Sequence, residues 1–102
     1  MIEISRYRDK IKEAKEMPTI SNFYGIVIKM YFLGKEHNPP HIHVIYGDET
    51  FSISIVDLKI IAGEKSPTIR VLSMIEEWIE IHKTELLEMW ESQNIHRIEP
   101  LD

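Results

Sequence analysis

The feature that most constrains this chain is a pair of short apolar runs joined by two turn-forming residues. His41–Tyr46 (HIHVIY) and Phe51–Val56 (FSISIV) flank Gly47-Asp48. Glycine followed by aspartate between β-branched runs is a hairpin signal. In the second run Phe51, Ile53 and Ile55 alternate with Ser52 and Ser54, so the apolar set falls on one face and the serines on the other. A sheet built this way must bury its apolar face under another element.

One downstream segment can supply that cover. Ser66-Pro67 reads as a helix start, with serine as N-cap and proline in the first turn. The spacing predicts a helix from Pro67 to about Gln93. Leu72, Ile75, Ile79, Leu86 and Trp90 line one face, with Trp78 and Met89 beside it, and Glu76, Glu77, Glu80, Glu88 and Glu91 lie largely opposite. The acidic run reads as a solvated face. His82 falls on or near the apolar stripe and reads as a core or boundary residue.

Upstream, Phe23–Phe32 (FYGIVIKMYF) is β-branched and aromatic and reads as one strand, apolar on both faces apart from Gly25 and Lys29. Leu33–Pro40 is a loop ended by two prolines, which donate no backbone hydrogen bond. Leu58–Ala62, closed by Gly63, is a short fourth strand. Residues 2–16 carry a thin stripe of Ile4, Tyr7 and Ile11 and read as a charged helix stopped at Met17-Pro18. The tail from Ile95 is irregular. The expectation is therefore an α+β chain. A short N-terminal helix (1–16) precedes a single domain (17–102), in which an antiparallel sheet of three to four strands packs on a long C-terminal helix.

With 102 residues the chain has room for one core. It has no cysteine, which excludes disulfides and cysteine-ligated metal and suits the cytosol. No apolar run approaches the roughly 20 residues that cross a bilayer, and the charged start does not read as a secretory signal. The net charge is −5, and residues 64–102 hold four basic against nine acidic residues. Phosphate neutralisation by Lys and Arg dominates nucleic-acid affinity. That balance argues against DNA and membrane surfaces as partners and leaves RNA open.

Chemistry concentrates in His37-Asn38-Pro39-Pro40-His41-Ile42-His43, which holds three of the five histidines. His41 and His43 are two apart on a strand and share a face. Three readings compete. The imidazoles are structural, packed or hydrogen-bonded on the sheet. Or His37, His41 and His43 hold a divalent metal, the one cofactor the residues leave open. Or His41 and His43 form an acid–base pair, assisted by His37, with Lys29 or Lys35 stabilising a phosphorane, as ribonuclease chemistry needs. Ser52 and Ser54 read as an outward face with no base or oxyanion hole signalled.

Residues 17–101 resemble the small bacterial family known as domain of unknown function 4160. The resemblance rests on Met17-Pro18-Thr19-Ile20-Ser21, Tyr24-Gly25-Ile26, Met30-Tyr31-Phe32 and the proline-flanked histidine motif. It continues through Gly47, Gly63, Glu77-Trp78, His82, Glu85-Leu86-Leu87, Trp90 and Ile98-Glu99-Pro100-Leu101. It implies a gene layout in which such proteins neighbour a second small protein, as toxin–antitoxin pairs do. The expected function is a protein-binding component of such a module, partnered by the neighbouring gene's product. The alternatives are a small ribonuclease-type toxin and a metal-binding domain.

Overall fold

The computed structural model describes residues 17–30, 39–63 and 67–102. In chain order it contains β1 (Thr19–Phe23), β2 (Ile26–Lys29), β3 (His41–Tyr46), β4 (Glu49–Ser54), β5 (Ile60–Gly63) and one long helix, α1 (Ile69–Ser92). The strands form a single antiparallel meander in sequential order. The α+β expectation holds, with five strands in place of three to four. The helix expected over 1–16 lies outside the described residues. No helix among the described residues is long and apolar enough to cross a membrane.

The extra strand comes from a turn hidden inside an apolar run. Tyr24 and Gly25 both take positive φ, 51° and 81°. Two consecutive left-handed residues make the type I′ geometry that joins two twisted strands tightly. Phe23–Phe32 is thus not one strand. Phe23 ends β1 and Ile26 begins β2, the two paired with each other.

The apolar face behaves as alternation requires. Ile26, Ile28, Ile42, Val44, Phe51 and Ile53 are buried in one cluster with Val71, Ile75, Trp78, Ile79, Leu86 and Met89 of α1. Each such side chain contributes roughly 1.5–3 kcal/mol on burial. The stripe is centred slightly away from the expected one, because Val71, Trp78 and Met89 are fully inside while Leu72 and Trp90 are half-buried at its flank. The N-cap is Thr68 rather than Ser66. Thr68 is extended and its Oγ1 accepts from the Val71 N–H at 3.3 Å, satisfying an otherwise orphaned donor. The helix continues through a kink at His82 (φ −110°, ψ 18°) and ends at Gln93, a left-handed cap whose N–H donates to the Met89 carbonyl.

The tail from Asn94 forms no helix or strand, as expected, yet it is anchored. The Ile98 N–H donates to the Ile20 carbonyl at 2.7 Å, and Ile98 is buried. Ile20 is the residue at which the β1–β2 register slips. The tail therefore covers the outer edge of β1 at its bulge, one of the ways a sheet edge is blunted.

Candidate functional site: a polar row across the sheet

The two-residue Gly47-Asp48 turn sets Tyr46 opposite Glu49, and the register runs on from there. It brings His43 opposite Ser52 and His41 opposite Ser54. On the other side of β3, Lys29 of β2 stands opposite His43. Directly opposed residues share a face. Lys29, His43 and Ser52 thus form one row across three strands, with His41 and Ser54 beside it.

The row is tied together by hydrogen bonds. His43 Nδ1 and Ser52 Oγ are 3.0 Å apart. His41 Nδ1 lies 2.8 Å from the Pro39 carbonyl oxygen. A carbonyl only accepts, so His41 carries a proton on Nδ1, and the bond fixes both tautomer and ring orientation. The Pro39-Pro40 pair therefore does more than aim β3, since its first carbonyl orients the first imidazole of the strand. The two imidazoles meet edge to face with centroids 5.1 Å apart, and His41 also packs on Trp90 at 5.1 Å. Trp90, on the last turn of α1, thereby links the helix to the start of β3.

One expectation is corrected here. Ser52 and Ser54 are not an outward solvent face, being only 6% and 1% exposed. His41 is 7% exposed, while His43 and Lys29 are half-buried. Ser52 is the participant that sequence reasoning missed. The hairpin register carried the signal, because counting outward from Gly47-Asp48 pairs residue 43 with residue 52. Beyond Ser54, Asp57 accepts from the Lys59 N–H at 3.2 Å. A hydrogen bond from the Ser54 side chain, and then that backbone N–H, hold its carboxyl below the usual value.

His37 and Lys35 lie outside the described residues. Among the described residues no group of three or more His, Asp or Glu gathers as a metal would require. His82 fulfils its boundary reading: half-buried, its ring sits 5.2 Å from that of Trp78, and its Nδ1 lies 3.9 Å from Glu85.

A second surface is exposed on α1. Glu77, Glu80, Glu88 and Glu91 face solvent with Thr84, and Ile81 among them is 60% exposed. Thr84, Leu87, Glu88, Glu91 and Ser92 line an open cleft of about 600 Å³.

No curated protein and no solved structure matches the chain. One family model does, over residues 25–91, a span running from the Tyr24-Gly25 turn through the histidine strand to the last turn of α1. That span covers well over half of the chain, and this protein belongs to the family described as Domain of unknown function (DUF4160).

Proposed function

We propose that this chain is the protein-binding component of a small bacterial two-gene module, toxin–antitoxin-like in layout, acting in the cytosol on a protein encoded by the neighbouring gene. The observation that carries this reading is the outer face of α1. Acidic side chains at positions 77, 80, 88 and 91 surround the exposed Ile81 and the cleft at Leu87. An apolar centre rimmed by charge is the usual anatomy of a protein-docking surface. Its sign selects a partner segment that is basic and apolar, and opposite potentials steer such a pair together. Co-expression with the neighbouring gene tests it. The two products should co-purify, and an Ile81→Asp, Leu87→Asp variant that stays folded should lose the complex.

A second reading draws on the polar row. His41 and His43 lie edge to face with Lys29 across from His43, so an imidazole pair and a cation share one face, the parts a small ribonuclease would need. Under this reading His37 assists, expression of the chain alone arrests growth, and His41→Ala or His43→Ala relieves the arrest. In a third reading the same histidines bind a divalent metal, and the purified protein then carries the ion in stoichiometric amount.

A further inference from the structure

We propose that the element docked by α1 is a basic amphipathic helix, seated in the groove between two side-chain rows near the end of α1. This names the form of the partner and rests on the reading of that face as a docking surface.

The cleft lined by Thr84, Leu87, Glu88, Glu91 and Ser92 has a regular origin. Thr84, Glu88 and Ser92 are spaced by four, and so are Leu87 and Glu91. Residues four apart on a helix stack into a ridge, and these two rows, offset by three, are neighbouring ridges. The cleft is the groove between them. Leu87 is half-buried and forms its apolar floor, while Thr84, Glu88, Glu91 and Ser92 are exposed.

Such a groove suits a second helix. A ridge of side chains three or four apart enters it with the two axes roughly 8–10 Å apart. An extended peptide fits it poorly. The main chain of α1 is hydrogen-bonded within the helix and offers an incoming strand no edge to pair with. A helix arrives with its own main-chain bonds already made.

Charge selects the sign of the occupant. Each ridge carries one acid, Glu88 or Glu91, and none of the five lining side chains is basic. Lys83, which continues the Leu87–Glu91 row, is turned elsewhere: its Nζ donates to the Val56 carbonyl at 3.0 Å and lies 3.8 Å from Glu80. No basic residue stands in the last turn of α1. The C-terminal end of a helix carries partial negative charge, so the two glutamates add to an unfavourable potential that an outside cation relieves. A second copy of the chain would set acid against acid. The occupant is therefore a different and basic helix.

The probe is a capped peptide of alanine, leucine and lysine, about 18 residues long so that it holds a helix. Leucine recurs at three- and four-residue spacing with lysine beside it. A control peptide differs only by two central prolines, which break the helix. Both are titrated into the full chain and followed by circular dichroism and by the methyl NMR signals of Thr84 and Leu87. The helical peptide should bind saturably, gain helicity and shift both signals. The proline peptide should bind at least roughly tenfold more weakly. Thr84→Trp, which fills the groove from an exposed position, should weaken binding by a similar factor. Thr50→Trp, at an exposed position of β4, should leave it unchanged. Equal binding of the two peptides, or binding that ignores Thr84→Trp, would overturn the helix assignment. So would a dimer of the chain that Thr84→Trp converts to a monomer in sedimentation, since the groove would then belong to a second copy. Competition with the neighbouring gene's product separates this inference from the reading it rests on. A product that binds the chain and is not displaced by the helical peptide would refute the helix groove and leave the docking reading standing. A peptide that fills the groove while the product fails to bind would keep the groove and refute that partner.

Discussion

The indole Nε1–H of Trp78 donates to the main-chain carbonyl of Glu99 at 2.8 Å, across 21 residues of sequence. One side chain thereby joins the centre of the helix, the core and the tail. Its ring lies 6.0 Å from Phe23 of β1 and 5.2 Å from His82 at the kink. A buried tryptophan with its one polar atom satisfied is a strong anchor.

Trp78→Ala should therefore cost about 3–5 kcal/mol in urea unfolding. Trp78→Phe keeps much of the volume but leaves the Glu99 carbonyl without its donor. It should cost less overall and raise amide exchange at Ile98, where the tail meets Ile20. Trp90 is half-buried, so Trp90→Ala should cost clearly less than Trp78→Ala and should perturb the His41 ring signals. Equal losses at the two tryptophans would contradict this placement.

The Tyr24-Gly25 turn offers a gain. Tyr24 is exposed and sits at φ 51°, a region that asparagine enters several-fold more readily than most residues. Tyr24→Asn should stabilise the protein by a few tenths of a kcal/mol, and Gly25→Ala should destabilise it. Thermal melts of both variants decide the point, and a stabilised Gly25→Ala would refute the type I′ assignment.

These two regions show where the fold was legible and where it was not. The helix could be read because its period is local: Ile75, Ile79 and Leu86 announce themselves within a few turns. The β1–β2 hairpin was hidden because a tyrosine occupies a left-handed position, and the apolar run around it conceals the break. The histidine face could be read from two-residue alternation. The burial of Ser52 and Ser54 could not, since alternation gives the face of a residue and says nothing of what covers it. Thr68 took the capping role from Ser66 because both carry a hydroxyl two residues apart, and only the backbone path shows which one reaches a helical N–H.

Asp57 gives a pH prediction with a definite sign. Its carboxyl is held below the ordinary 3.8, first by the Ser54 hydroxyl and then by the Lys59 N–H. A group whose folded pKa is depressed stabilises the fold above its unfolded pKa and loses that contribution as pH falls through the folded value. Asp57→Asn should thus be less stable than the parent near neutrality, and the gap should close as pH drops through about 3.8 and below. Urea midpoints across that range provide the check. A gap that stays constant with pH would mean that the charge contributes nothing.

The proposed docking of a basic partner on the acidic face of α1 is tested by the affinity of the purified chain for the neighbouring gene's product as a function of salt. Surface charges are screened over about 10 Å at 0.1 M salt. Affinity and association rate should both fall as salt rises, and a Glu88→Lys, Glu91→Lys variant should bind at least about tenfold more weakly while melting normally. Binding that ignores both salt and the two charge reversals, or a complex abolished by His41→Ala in a folded protein, would contradict the account.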